Sequence, residues 1–264
     1  LMNGLVDVKD FAVKKTINGK DYQATAKGIV PLKALFANSN EDLDDYERIK
    51  LDVNLDQADL SILPFVSDQV DWALGPTKGT LEFTGTLAHP LVNGTVSLSD
   101  GAVKFKPLAT PVTNMNATVV FNGDTMTVSD FSGKMGEGSY TGQGTLKLDG
   151  VTPSTYDFSL TADKLDIQSD FFKGPLSGSL RINNAEAFGK TLPKISGQID
   201  LDNCTISVPT IPDSNGELPD VLLDVDVNVG DKVHAYSSYL YDMYLVGKVH
   251  FGGTTHHPKT SGSV

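Results

Sequence analysis

The stretch of sequence that decides the fold is Gly79-Thr-Leu-Glu-Phe-Thr-Gly-Thr-Leu-Ala-His-Pro-Leu-Val-Asn-Gly-Thr-Val96, because its pattern occurs twice. The second copy, Gly247-Lys-Val-His-Phe-Gly-Gly-Thr-Thr-His-His-Pro-Lys-Thr-Ser-Gly-Ser-Val264, aligns over 18 positions without a gap, and eight positions are identical. A third and weaker copy runs from Gly178 to Gly197. Each copy predicts a hairpin, because proline has no amide donor and belongs in the turn, while glycines allow sharp bends. A repeat that spans the chain is typical of a stacked, solenoid-like architecture.

Most of the remaining sequence alternates between apolar and polar residues, which is the pattern of strands with one dry and one wet face. The clearest run is Val221–Val229, in which the odd-numbered residues are apolar and Asp224, Asp226 and Asn228 lie between them. Runs of this kind predict about fifteen strands. Asn122-Gly123 predicts a two-residue hairpin turn with positive φ at both residues.

Helical signals are few. Ala58–Leu74 is largely apolar but interrupted by Pro64, which predicts one or two short helical turns on an edge or over the sheet. Leu165–Phe172 is a candidate for a similar short helix, and Glu41–Arg48 for a polar loop or helical turn. Long amphipathic helices are absent from the sequence, so the fold class is all-β and antiparallel-rich, with one or two short helices.

Composition narrows the function. The 264 residues carry 21 Lys and Arg against 33 Asp and Glu, a net charge of −12, which argues against a nucleic-acid partner. No stretch approaches the roughly 18–20 apolar residues of a membrane-spanning helix, and no signal peptide is visible. The first residue is not methionine and the second repeat copy stops in mid-pattern, so we expect a segment of a longer chain.

The sequence offers no convincing catalytic or metal-binding constellation. The lone Cys204 lies in a strand pattern without a glycine elbow, and a strand role is the better interpretation. His256 and His257 lie near His250, but His89 occupies the turn position equivalent to His257, and a third convergent ligand is missing. Asp224 and Asp226 are expected on a solvated face. We therefore expect a protein that is not an enzyme and needs neither a cofactor nor a metal.

The repeat unit G-x-h-x-F-x-G-T-x-x-x-P-x-x-x-G-x-h, in which h is apolar, resembles the TamB and AsmA-like family of Gram-negative envelope proteins. The resemblance continues through Met115–Val128, Phe131–Gly133 and Gly142–Leu146, and covers about two-thirds of the chain. It implies a long sheet curled into an open hydrophobic groove, known as a β-taco or repeating β-groove. On this basis we expect a single elongated segment of three modules, at residues 1–78, 79–168 and 169–246, with 247–264 as the truncated start of the next.

The resemblance also implies a function. Such proteins are anchored in the inner membrane of a diderm bacterium and cross the periplasm, where they form a bridge for phospholipid between the two membranes. A further role in outer-membrane protein assembly, through an outer-membrane β-barrel partner, is implied as well. The contacts with that partner and with the inner membrane are expected in parts of the protein outside this segment.

The apolar positions of the alternating strands are the candidate groove residues. Phospholipid acyl chains are expected to cover this face, which has little helix available to cover it. The candidates are Leu81, Phe83, Val96, Leu98, Val119, Phe121, Met126, Val128, Phe158, Leu160, Val221, Leu223, Val225, Val227, Val229, Val249 and Phe251.

Two other functions and one other arrangement stay open. A structural β-solenoid of the adhesin type would have a dry core, and a carbohydrate-binding β-sandwich would present aromatic platforms. The apolar faces of the strands would also be satisfied if two sheets closed on each other as a sandwich.

Overall fold

The structure is a computed structural model that describes residues 5–17, 20–31, 48–150, 152–207, 220–237 and 240–263. These residues form sixteen strands, close to the predicted number. The strands are β1 Leu5–Ile17, β2 Lys20–Pro31, β3 Lys50–Asp59, β4 Val70–Leu74, β5 Pro76–Gly85, β6 Pro90–Phe105, β7 Val112–Gly123, β8 Thr125–Met135, β9 Gly138–Asp149, β10 Thr152–Gln168, β11 Phe172–Ala187, β12 Lys190–Leu201, β13 Cys204–Ser207, β14 Leu222–Ser237, β15 Tyr241–Thr254 and β16 Pro258–Ser263.

All sixteen strands belong to one sheet, and neighbours along the chain are mostly neighbours in the sheet. The pairing is antiparallel except at one place, where β14 runs parallel to β12 and then to β13. The all-β, antiparallel-rich fold class is therefore confirmed, and the long sheet agrees with a β-groove. The predicted module boundaries at residues 78 and 246 fall inside β5 and β15, so the hydrogen-bonded sheet continues across them.

The internal repeat corresponds to two equivalent hairpins, β5–β6 and β15–β16. Gly85 pairs with Pro90 in the first, and Gly253 pairs with Pro258 in the second. In the first turn the Thr86 amide donates to the His89 carbonyl at 3.2 Å, and the equivalent bond in the second turn measures 3.3 Å. The threonine side chain of each turn accepts a hydrogen bond from the histidine amide at 3.1 Å.

Glycine is required in the second strand of each hairpin. Gly94 has a φ of 139°, and a Cβ atom there would lie 2.0 Å from the Thr80 carbonyl oxygen. Gly262 has a φ of 135°, with the Lys248 carbonyl oxygen 2.1 Å away. The weaker third copy follows the same rule, because Gly197 also has a φ of 135° and lies against Ser179. The backbones of paired strands thus approach too closely for any side chain at these positions.

A series of β-bulges bends the long strands. The register shifts between Leu98 and Gly101, between Val128 and Phe131, and between Ala162 and Leu165. Each shift contains a non-glycine residue at a φ of 50° to 53°, which is Asp100, Asp130 or Lys164. Bulges increase local twist and bend the strand that carries them.

The sheet curls toward its apolar face between β6 and β10. The Ala109 amide, in the β6–β7 loop, donates to the Gln168 carbonyl at the end of β10 at 2.7 Å. The Thr110 hydroxyl donates to Asp166 at 3.2 Å. The loop thus reaches past β7, β8 and β9, and Leu108 from this loop packs against a cluster on the apolar face.

One short helical segment is present where Ala58–Leu74 predicts it. A 3-10 turn spans Leu60–Ile62 and a helix α1 spans Leu63–Val66. Leu60 and Leu63 pack against the buried side chains of β4 and β6, so the segment covers part of the apolar face.

Two local predictions are wrong. Leu165–Phe172 is not helical, because Leu165 pairs with Leu176 and Ile167 with Gly174, which keeps the chain in β10. The β7–β8 turn consists of Gly123 and Asp124, because Asn122 is held in the ladder opposite Thr125, and of the predicted pair only Gly123 has a positive φ. Most of the acidic segment Glu41–Arg48 lies outside the described residues.

Candidate functional site

The strand registers place the apolar residues on one face of the sheet. Residues that pair across strands project from the same side, so a chain of pairs traces a row along the sheet. One such row crosses eleven strands without a polar side chain, and we call it the central row. It consists of Gly79, Val96, Val119, Val128, Gly144, Phe158, Ile182, Ile195, Leu223, Gly253 and Pro258. At the usual strand spacing the row is about 50 Å long.

Sixteen of the seventeen candidate groove residues lie on this apolar face. Besides the members of the central row, Leu81 connects through Gly94 to Phe121 and Met126, and Val225 pairs with Phe251. Phe83, Leu98, Leu160, Val227, Val229 and Val249 follow from the two-residue period of their strands. Val221 precedes β14, and its backbone bonds to Thr255.

The apolar face is open in one part and packed in another. Leu160 and Phe251 are 37% and 38% exposed, and Ile182 is 42% exposed. Val225 and Val229 are instead buried, and Val229 belongs to a cluster with Leu201, Cys204 and Val233. A second cluster consists of Val112, Met135, Tyr140, Ala162 and Leu165. The clusters lie largely toward the strand ends beyond the bulges, so the open surface is the part that contains Leu160 and the central row.

Several residues of the open part are not among the candidate groove residues predicted from the sequence. Leu146, Tyr156, Leu180, Ile182 and Ile195 share the face through their pairings. Their strands alternate as the others do, but glycines at 142, 144, 178 and 197 interrupt the apolar positions of β9, β11 and β12. If glycine is counted as an inward-facing residue, the pattern identifies Leu146, Leu180, Ile182 and Ile195.

The opposite face is polar and carries cross-strand ion pairs. Arg181 donates two hydrogen bonds to Asp157, at 2.7 and 2.5 Å, and Lys194 donates to Asp224 at 2.6 Å. These partners lower the pKa of both carboxyl groups. Asp224 and Asp226 are exposed here, which confirms their predicted place on a solvated face.

The residues weighed for other chemistry have structural surroundings. Cys204 is buried in β13, and burial raises the pKa of its thiol. His250 bonds to Asp226 at 2.9 Å and His256 to Asp220 at 3.3 Å. Across the described ranges, no three His, Cys, Asp or Glu side chains gather in a way that would hold a metal ion. Within those same ranges, helices long and apolar enough to span a membrane are also absent.

Part of the chain matches a known protein family, and two curated proteins are similar to it. Residues 129–234 match the family model described as the TamB C-terminal domain. The chain is 27% identical over 164 residues to Protein SUBSTANDARD STARCH GRAIN 4, chloroplastic, of Oryza sativa subsp. japonica, covering 61% of this chain. It is 22% identical over 181 residues to Protein TIC236, chloroplastic, of Arabidopsis thaliana, covering 67% of this chain. The chain spans 8% of the length of each relative, and no solved structure matches.

Proposed function

We propose that this chain, whose residues 129–234 match the model of the TamB C-terminal domain, holds lipid acyl chains on its apolar face and lets them pass along the central row. The family suggests an envelope protein of transport or assembly. The unbroken apolar row is the observation that carries the more specific proposal. All described strands belong to one sheet, so within the described residues no second sheet covers this row.

The energetics favour capture without a charged recognition site. Burying a methylene group is worth about 0.8 kcal/mol, so a 16-carbon chain gains on the order of 10 kcal/mol when it leaves water. The central row contains only apolar side chains and glycines, so no hydrogen bond or ion pair fixes the chain at one position. Movement along the row then exchanges one apolar contact for a similar one.

The cellular setting follows from the same proposal. We place the segment between two membranes, in the periplasm of a diderm bacterium, as part of a bridge from the inner membrane toward an outer-membrane β-barrel partner. A role in outer-membrane protein assembly belongs to the same setting. Both relatives are named as chloroplastic. Fractionation of the native cells distinguishes an envelope protein from one found elsewhere.

The decisive experiment compares two glutamate substitutions at positions of similar exposure on opposite faces of the sheet. Leu160→Glu introduces a carboxylate on the apolar face, at a position that is 37% exposed. Val120→Glu introduces a carboxylate on the opposite face, at a position that is 41% exposed. Val120 pairs with Thr95 and Thr127, so it lies on the polar face. Native mass spectrometry after incubation with phosphatidylcholine vesicles should show lipid on the wild type and on Val120→Glu, and little on Leu160→Glu.

Circular dichroism of all three proteins keeps the comparison valid. Both substitutions are at surface positions, so the strand signal is expected to be unchanged. A wild-type protein that carries no lipid from its expression host and takes none from vesicles would overturn the proposal. Equal lipid loss in both variants would show that the apolar face has no special role.

A further inference from the structure

Tyr140 in β9 is a buried tyrosine on the apolar face. It is 7% exposed, and it pairs with Gly133 on one side and Ala162 on the other. Its ring lies 5.1 Å from the ring of Phe131 at an angle of 51°. A Cβ atom on Gly133 would lie 2.5 Å from the Tyr140 hydroxyl oxygen, so the hydroxyl group lies directly over this glycine.

The Tyr140 hydroxyl has no hydrogen-bond partner among the described residues. The buried side chains packed against it are Val112, Met135, Ala162 and Leu165, of which three are pure hydrocarbon and only the Met135 sulfur is a weak acceptor. A buried hydroxyl without a partner costs free energy, and phenylalanine would fill the same space without that cost. The hydroxyl also keeps its proton at any physiological pH, because burial raises the pKa of Tyr140 to about 12.

The side chains of the cluster itself offer little else to a polar ligand, because they are almost entirely hydrocarbon. A ligand that suits this position brings an acceptor for the hydroxyl and is otherwise apolar. An acyl ester meets both requirements, because its carbonyl oxygen accepts a hydrogen bond and hydrocarbon follows directly after it.

Tyr140 is adjacent in its strand to the open part of the apolar face. Gly142 is the next residue of β9 on the apolar face, and it pairs with the exposed Leu160. Tyr140 therefore lies at the border between the open part of the face and the packed cluster. We propose that Tyr140 donates a hydrogen bond to the ester carbonyl of a bound acyl lipid. This inference rests on the proposed function and assigns a polar contact within its apolar site.

The test compares lipids that differ only in the carbonyl group. Purified wild-type protein and Tyr140→Phe are titrated with vesicles of diester phosphatidylcholine and of its diether analogue, with equal chain lengths. The wild type should prefer the diester by about three- to tenfold, the range expected for one hydrogen bond. Tyr140→Phe should bind both lipids equally, at the level of the wild type with the diether. Palmitic acid is a third ligand and shows whether a carboxyl group serves in place of an ester.

Tyr236→Phe is the control. Tyr236 is 41% exposed and pairs with Asp242, and it alternates with the buried Ala235 of β14, so it lies on the polar face, outside the proposed lipid site. This variant should keep the wild-type preference for the diester. A merely structural role for Tyr140 would change both affinities together and leave their ratio unchanged.

Each outcome is decisive. A Tyr140→Phe protein that still prefers the diester, or a wild type without any preference, would overturn the assignment. A melting temperature of Tyr140→Phe well below that of the wild type would also overturn it, because the hydroxyl would then have a partner within the protein. A wild type that binds neither lipid contradicts the proposed function itself, and is distinguished in this way from a failure of the ester contact alone.

Discussion

Phe158 lies across Gly144, its pairing partner on the neighbouring strand, and fills the space that a side chain at Gly144 would occupy. A Cβ atom on Gly144 would be 2.1 Å from the Phe158 ring. Both residues belong to the central row, so this contact joins β9 and β10 in the middle of the open apolar surface. Because Gly144 has no side chain, the large ring of Phe158 can lie over it.

The first prediction concerns this pair. Gly144→Val should lower the free energy of unfolding by about 1–3 kcal/mol, because Phe158 must leave its position. Gly144 does not have a positive φ, so the cost is steric rather than conformational. Urea unfolding of Gly144→Val, Phe158→Ala and the double variant measures the coupling. Recovery of stability in the double variant supports the contact, whereas additive losses contradict it.

The second prediction concerns the two repeat hairpins. Gly94→Ala should destabilise the protein by about 2–4 kcal/mol, because alanine meets both an unfavourable φ and the Thr80 carbonyl oxygen. Gly262→Ala faces the same geometry but lies in β16, for which the described residues show one neighbouring strand, β15. Local fraying of β16 can relieve that strain, so its cost should be smaller. Thermal unfolding of both variants gives the comparison, and equal costs would argue against fraying.

The third prediction is a pH dependence. Arg181 lowers the pKa of Asp157 below its unfolded value of about 3.9, mainly through their hydrogen bonds. The stabilisation is therefore present above pH 4 and is lost as pH falls through the lower folded-state pKa. Because both side chains are exposed and screened by solvent, the stabilisation should be small.

Asp157→Asn provides the measurement for this pair. At pH 7 the variant should unfold at a lower urea concentration than the wild type, and the difference should shrink toward zero between pH 4 and pH 2. A difference that stays constant across this range would mean that the carboxylate charge is not what stabilises the pair.

The fourth prediction tests whether lipid occupies the whole row. A photoreactive benzoylphenylalanine at Val119 or at Leu223 should form a cross-link to phospholipid, because the two positions lie on β7 and β14 within the central row. The same residue at Val120, on the polar face, should not. Mass spectrometry of irradiated protein identifies the adducts. Cross-links at one of the two row positions only would limit the lipid to part of the sheet.

Much of the fold can be predicted from local pattern. The alternation in Val221–Val229 identifies a strand and its dry side, and the repeat around Gly79–Val96 identifies a hairpin down to the proline in its turn. These features are local because the side-chain period of a strand is two, and because proline and glycine restrict or free the backbone where they stand. The sequence by itself therefore determined the fold class, the hairpins and the apolar composition of one face.

The tertiary structure alone decided which apolar residues are open and which are packed. Two features depend on neighbouring strands and cannot be predicted from a local pattern. They are the bulges at Asp100, Asp130 and Lys164 and the parallel pairing of β14 with β12. They set the curl of the sheet, which buries Tyr140 and Val229 while Leu160 stays exposed. A residue's own sequence context specifies the side of the strand on which it lies, but the amount of solvent it meets depends on strands far away in the chain.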